Sequence, residues 1–209
     1  DVPGEISSAA FLVVAALLAE NTGVTLENVG VNPTRIGMLN VLERAGVVVE
    51  RANERELCRE PRADLVIRPA RPAQLDIEPA EVPSLIDEIP VLALLAAHAD
   101  CERSVIRGAG ELKVKESDRI TTVARELHAL GLKIEPTPDG FVIPGRQRVN
   151  GGVVESRGDH RIAMTGAIAG LVSKSGVTIR NTACVATSFP DFPGTLRRLG
   201  AVVEEVEPS

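Results

Sequence analysis

Three stretches decide how this chain folds: LERAGVVVE at residues 42–50, LHALGLKIE at 127–135 and LRRLGAVVE at 196–204. In each, an amphipathic segment stops at a glycine, Gly46, Gly131 or Gly200, and a short apolar run follows. Glycine just past a helix takes positive φ without a Cβ clash, so each stretch predicts a helix, a C′ glycine and then a strand. The same signal met three times predicts internal repetition.

Working outward, an Ala/Gly-rich helical segment precedes each stretch: SSAAFLVVAALLAE (7–20), DEIPVLALLAAHA (87–99) and DHRIAMTGAIAGLVSK (159–174). Each leads into a β-rich segment, GVTLENVGV (23–31), CERSVIRGAG (101–110) or GVTIRNTAC (176–184). The first two units continue into a return strand, ADLVIRPA (63–70) and GFVIPG (140–145), the latter behind an Asp139-Gly140 turn. The third has no return strand, so AVVEEV (201–206) reads as an edge strand whose neighbour is vacant; either its own charges protect it or, the favoured reading, a segment absent here pairs with it. Small side chains let helices approach closely. The three Ala/Gly-rich helices are therefore expected inside, with the sheets around them and the amphipathic helices beneath the sheets. The expectation is an α/β (α+β) chain forming one domain over 1–209, with pseudo-repeats at about 1–70, 71–147 and 148–209. The alternative is three generic αβ units in a doubly wound sheet.

Composition narrows the function. With four Phe and no Trp or Tyr, the core is aliphatic and a base-stacking surface is almost excluded. A net charge of −6 argues against nucleic-acid binding but leaves room for a local anion pocket. Cys58, Cys101 and Cys184 fit neither a metal spacing nor a disulfide framework, so a reducing, cytoplasmic compartment is expected. The apolar run AAFLVVAALLA (9–19) is short of the ~20 residues a bilayer span needs.

The chemically loaded stretch is ELKVKESDRI (111–120). The apolar spacing of Ile120, Val123, Ala124, Leu127 and Leu130 predicts a helix with Ser117 as N-cap, Arg119 in its first turn and Lys115 just ahead. Cations at a helix N-terminus work against the helix dipole, and Lys115 and Arg119 repel each other if both are helical. A bound anion reverses the sign of these terms. A pseudo-threefold arrangement would also bring the starts of the first helices together, with Ser7 and Ser8, with Asp87 and Glu88, and with Asp159, His160 and Arg161. Plainer roles exist for each residue: Arg119 paired with Glu116 on a solvated face, Asp159 an N-cap, Asp87 an N-cap or a capping-box partner of Ser84, His160 on the surface. His98 and His128 read as structural.

Taken together, KESDR (115–119), GDHRIAM (158–164), SLIDEIPVLALLAA (84–97), ATSFPDF (186–192), DVPGEISSAAF (1–11) and NPTRIGML (32–39) resemble 5-enolpyruvylshikimate-3-phosphate synthases. The resemblance runs through the chain in order and corresponds to the C-terminal, upper domain of that family. It implies an enolpyruvyl transferase-like inside-out α/β barrel of three βαβαββ units. The partner domain would be missing, along with an N-terminal segment that returns to this domain at the vacant strand. It also implies transfer of the enolpyruvyl group of phosphoenolpyruvate to the 5-hydroxyl of shikimate 3-phosphate, with release of phosphate and no cofactor, glyphosate acting as competitor. By matched position Asp87 would be a base near the 5-hydroxyl, Lys115 its proton partner, and Glu116 the donor and acceptor of the methyl proton. Arg119 and Arg161 would clamp phosphoenolpyruvate, with His160 close by. Glu111 stands where many members have Asn, and Thr187 where many have Lys, so neither carries a substrate contact over; both departures suggest the bacterial branch associated with glyphosate tolerance. The sister UDP-N-acetylglucosamine enolpyruvyl transferase and a non-catalytic anion-binding module are the alternatives. The family cleft draws residues from two domains, so this chain alone is expected to be inactive.

Overall fold

The computed structural model describes residues 2–19 and 23–206. The expected last residue of the first helix, Glu20, lies outside that range, as do residues 1 and 207–209 at the two ends. The first unit runs α1 (Ile6–Leu18), β1 (Val24–Gly30), α2 (Gly37–Arg44), β2 (Val49–Leu57) and β3 (Glu60–Ile67). The second runs α3 (Ile89–Ala97), β4 (Arg103–Ile106), α4 (Arg119–Ala129), β5 (Glu135–Thr137) and β6 (Gly140–Pro144). The third comprises β7 (Gly152–Glu155), α5 (His160–Leu171), β8 (Val177–Arg180), α6 (Val185–Ser188) and α7 (Phe192–Arg198).

The repeat is visible bond by bond in the helix ends. After α2, the Gly46 N–H donates to Glu43 C=O and the Val47 N–H to Leu42 C=O, each at 2.9 Å. Gly131 and Leu132 make the same pair of bonds to His128 and Leu127, as do Gly200 and Ala201 to Arg197 and Leu196. This is the Schellman arrangement, and φ at the three glycines is 81°, 90° and 94°.

The first two sheets have identical plans: order β1-β3-β2 and β4-β6-β5, antiparallel throughout. Each is extended by one parallel bridge, Gly4 to Val29 in the first and Ile77 to Ile106 in the second. In the third unit that leading position grows into a full strand, and β7 pairs parallel with β8 across the α5 crossover. Each unit therefore opens with an extended segment beside the strand that follows its first helix, which completes the βαβαββ plan in the first two units.

Helices α1, α3 and α5 pack on one another, and every residue of α3 is buried. A helix apolar on all sides can be stable only inside, so the sheets close around this trio. Three of the four phenylalanines meet at one edge of it: Phe192 of α7 stands edge-on to Phe11 of α1 at 6.2 Å and packs on Phe189 at 5.3 Å. No helix among the described residues is long and apolar enough to cross a membrane.

Two local expectations need correction. Residues 201–206 form no strand. A ladder needs a partner, the third sheet has only β7 and β8 among the described residues, and Val202 and Val206 are left exposed. The β5–β6 turn is Pro138-Asp139, while Gly140 is already the first residue of β6. Gly140 has no positive φ. Its requirement is space, because a Cβ there would collide with the Ile106 carbonyl of the neighbouring strand. Gly46 is the opposite case, with positive φ and open surroundings. Gly140→Ala is thus expected to cost about 3 kcal/mol by overpacking and Gly46→Ala about 1 kcal/mol by backbone strain. Equal shifts in urea denaturation midpoints would contradict this assignment.

Candidate active site

The first turn of α4 is built one residue later than its spacing suggests. Asp118, not Ser117, is the N-cap: its carboxylate accepts from the Ile120 and Thr121 N–H groups at 3.1 and 3.2 Å. Ser117 is left to donate to Asp159 at 2.9 Å. Lys115 precedes the helix in extended conformation, after a 3-10 turn over Gly110–Val114. Because Lys115 is not helical, the expected like-charge repulsion with Arg119 does not arise.

Arg119 occupies the first helical position and is 1% exposed. Asp159, itself fully buried, takes its Nε at 2.9 Å and its Nη2 at 3.2 Å. Glu116 accepts from Nη2 at 2.6 Å and Asp87 from Nη1 at 3.1 Å. Four of the five guanidinium donors are thereby engaged. The Glu116 pairing is present, but on a buried rather than a solvated group. The misplaced charge at the helix start is compensated by the protein's own carboxylates before any ligand arrives. Burial pushes the Asp159 carboxyl up, yet the Arg119 bonds and charge hold it below the usual range.

Asp159 also accepts from the Arg161 N–H at 2.9 Å, so it is at once the N-cap of α5 and the counter-ion of Arg119. Asp87 is not a cap: it lies in a 3-10 turn over Ile86–Glu88, and Ser84 donates instead to the Glu81 carbonyl. Burial raises the Asp87 carboxyl, but Arg161, Lys115 and Arg119 pull it below its ordinary value. Lys115 Nζ sits 3.7 Å from Asp87 and 3.2 Å from Glu111.

Arg161 is held differently. Its Nε–H donates to His160 Nε2 at 3.2 Å and its Nη1–H to the Ser7 carbonyl at 3.2 Å, and its Cζ lies over the Phe11 ring, 5.8 Å from the centroid. Both acceptors are neutral, and Nη2 has no hydrogen-bond partner among the described residues. Accepting through Nε2 leaves the His160 proton on Nδ1, 3.9 Å from Glu116. Burial and the adjacent guanidinium lower the His160 pKa, so the ring is neutral at pH 7. One chain of contacts therefore links all six predicted residues, from Lys115 through Asp87, Arg119, Glu116 and His160 to Arg161.

Sequence reasoning placed Glu88 at a converging helix start but gave it no role; it is buried at 2% exposure with Oε1 unpaired and 4.0 Å from Arg161 Nη1. The signal was available: a second carboxylate opening a wholly apolar helix has few places to go but inward. Ser7, Glu88 and Arg161 come from the starts of α1, α3 and α5, so the three starts do converge. The Thr187 hydroxyl bonds to the Cys184 carbonyl of its own turn. His98 is buried against the Leu94 carbonyl, and His128 lies exposed in the last turn of α4. Among the described residues no cluster of three His, Cys, Asp or Glu side chains is arranged to hold a metal ion.

Removing the carboxylate from Asp159 leaves a buried guanidinium partly unpaired. Asp159→Asn is expected to cost about 3 kcal/mol in urea denaturation at pH 7. The native pKa lies below the unfolded one, so this stability is complete above about pH 4 and is lost as pH falls through the native pKa. The gap between wild type and variant should therefore narrow in acid; a gap independent of pH from 7 to 3 would contradict the pairing.

Comparison with known proteins bears on this arrangement. The sequence profile of the family described as EPSP synthase (3-phosphoshikimate 1-carboxyvinyltransferase) matches residues 1–196. A 3-phosphoshikimate 1-carboxyvinyltransferase of Desulforudis audaxviator is 48% identical over 95% of this chain and 46% of its own length. One from a Synechococcus strain is 46% identical over 95% and 45%. The chain thus spans about half the length of the relatives it matches. The EPSP synthase structure from Acinetobacter baumannii superposes with a TM-score of 0.92 at 42% identity, over 97% of this chain and 47% of that one. The enolpyruvyl transferase NikO from Streptomyces tendae shares the fold, with a TM-score of 0.75 at 21% identity, over 95% of this chain and 43% of its own. The repeated inside-out α/β architecture, the ordered motifs and the profile over nearly the whole chain agree: this chain belongs to the EPSP synthase family.

Proposed function

We propose that this chain, acting as one domain over its whole length, supplies one wall of the active site of a 3-phosphoshikimate 1-carboxyvinyltransferase. The other wall would come from the half of the relatives' length that this chain does not cover. The reaction would transfer the enolpyruvyl group of phosphoenolpyruvate to the 5-hydroxyl of shikimate 3-phosphate, in the cytoplasm, on the route to aromatic amino acids. The observation that carries the reading is Arg161, a guanidinium with two neutral partners and an open edge, beside a connected row of proton-exchanging groups.

The chemistry proceeds by addition and elimination. Glu116, as the acid, would protonate the methylene carbon of phosphoenolpyruvate, and positive charge would build at C2. The 5-hydroxyl attacks C2 while its proton passes to the Asp87–Lys115 pair. Asp87 suits that place because its carboxyl is held ionised by three nearby cations. The tetrahedral adduct then expels phosphate as Glu116, now a carboxylate, takes a proton back from the methyl group. Glu116 touches both Arg119 at 2.6 Å and His160 at 3.9 Å, which supports a carboxylate held in one place through both steps. Arg161 would receive the phosphate or carboxylate of phosphoenolpyruvate by its open edge, and His160 would keep that edge oriented. Arg119 has one unengaged donor, so in this reading it chiefly holds Asp87, Glu116 and Asp159 in register. Glyphosate, an anion carrying a phosphonate and a carboxylate, would compete at the same edge.

Two outcomes follow. The purified chain alone should release no measurable phosphate from phosphoenolpyruvate and shikimate 3-phosphate, and adding the complementary half as a separate polypeptide should restore turnover. Turnover without that half would overturn the two-wall reading. In the reassembled enzyme, Arg161→Ala should weaken phosphoenolpyruvate binding by about 2 kcal/mol with little change in the denaturation midpoint, whereas Arg119→Ala should lower both. Unchanged binding in Arg161→Ala would remove the anion receptor from the reading.

A further inference from the structure

The site carries five carboxyl groups, Asp87, Glu88, Glu111, Glu116 and Asp159, against three cations, Lys115, Arg119 and Arg161. A dianion would enter a region already short of positive charge. Four of the carboxyls have a cation within 3.2 Å. Glu88 does not. It is buried among the starts of α1, α3 and α5, its Oε1 lacks any hydrogen-bond partner, and its nearest cation, Arg161 Nη1, stops at 4.0 Å. That is about 1 Å beyond a hydrogen bond. Arg161 cannot close the gap without releasing the Ser7 carbonyl or His160, which hold it at 3.2 Å each.

We propose that Glu88 is a positioning residue for anion capture: Arg161 is shared between Glu88 behind it and the anion in front, so anion binding is coupled to uptake of a proton by Glu88. This inference rests on the reading of Arg161 as the anion receptor. The groups facing Glu88 are the Ser7 side chain and the Arg35 charge beside α1, the Asp87 carboxylate next to it, and Arg161 from α5. Arg35 is half exposed and already engaged with Glu5 and Ser7, so it offers Glu88 little. With Glu88 ionised, two negative charges compete for one guanidinium; with Glu88 protonated, the guanidinium answers the ligand alone. Burial already pushes the Glu88 carboxyl above its ordinary value, and an anion in front of Arg161 pushes it further the same way. Coupling is reciprocal, so protonation of Glu88 must tighten the anion by the same factor that the anion favours protonation. A role in packing alone would not move protons on binding.

The probe is inorganic sulfate, whose charge is constant from pH 5 to 8, titrated calorimetrically into this chain in two buffers of different ionisation enthalpy. Wild type is expected to take up a fraction of a proton per sulfate near pH 6 and to bind more tightly as pH falls. Glu88→Gln, neutral and of the same shape, should bind sulfate on the order of tenfold more tightly at pH 8 and take up measurably less proton at pH 6. His160 also titrates, and proton uptake undiminished in Glu88→Gln would assign the effect to His160 and overturn the proposal. Should Glu88→Gln fail to fold, the carbon-13 shift of the Glu88 carboxyl in wild type decides: its titration midpoint must rise on addition of sulfate, and an unmoved midpoint refutes the coupling. Arg161→Ala separates the two readings. If it binds sulfate as wild type does, or wild type binds none, the anion-receptor reading itself falls; if Arg161→Ala abolishes binding while Glu88→Gln changes neither affinity nor proton uptake, only the role of Glu88 falls.

Discussion

The buried pair of Arg119 and Asp159 joins two units of the repeat at the point where chemistry is placed. Arg119 opens α4 of the second unit, and Asp159 caps α5 of the third. Two bonds in fork geometry, at 2.9 and 3.2 Å, fix the distance and rotation between those helix starts. Glu116 and Asp87 then attach to the remaining guanidinium donors, so the position of every other charged side chain in the row follows from this pair. A cation at a helix N-terminus is unfavourable in isolation, and carboxylates gathered around a buried point are unfavourable in isolation too. Each removes the other's penalty.

The two arginines show how one residue type serves opposite ends when its partners differ. Arg119 is saturated by charge and acts as a strut. Arg161 is held by a carbonyl, a neutral imidazole and an aromatic face, all of which orient a guanidinium without neutralising it. The scarcity of aromatics gives this contrast a local cause. Phe11 lies under the Arg161 guanidinium, Phe192 stands edge-on to Phe11, and Phe189 packs on Phe192.

The fold was legible in the sequence to a useful depth because its signals are local. A C′ glycine is demanded by backbone geometry at the end of its own helix, so Gly46, Gly131 and Gly200 announced the repeat without tertiary information. The Ala-rich composition of α1, α3 and α5 likewise announced their burial. The N-cap of α4 was misread by one residue because Ser117 and Asp118 are both good caps, and the choice fell to Asp159, which claims the serine hydroxyl from forty-two positions away. The strand expected at 201–206 failed for a related reason: a valine-rich run favours a strand only when a neighbour offers a ladder.

By itself the sequence determined the repeat, the helix ends, the aliphatic interior and the set of charged residues available for chemistry, because propensity, glycine geometry and composition act over a few residues at a time. Tertiary structure alone decided which charges cancel and which stay open. Arg119 and Arg161 both lie in the first turn of a helix capped by an aspartate, and that local context does not say which of them stays open. Their fates diverge because carboxylates from two other segments close on Arg119, while a carbonyl and a phenyl ring of α1 meet Arg161. Electrostatic partnership is set by distance in space, and distance in space exists only once the three units have packed.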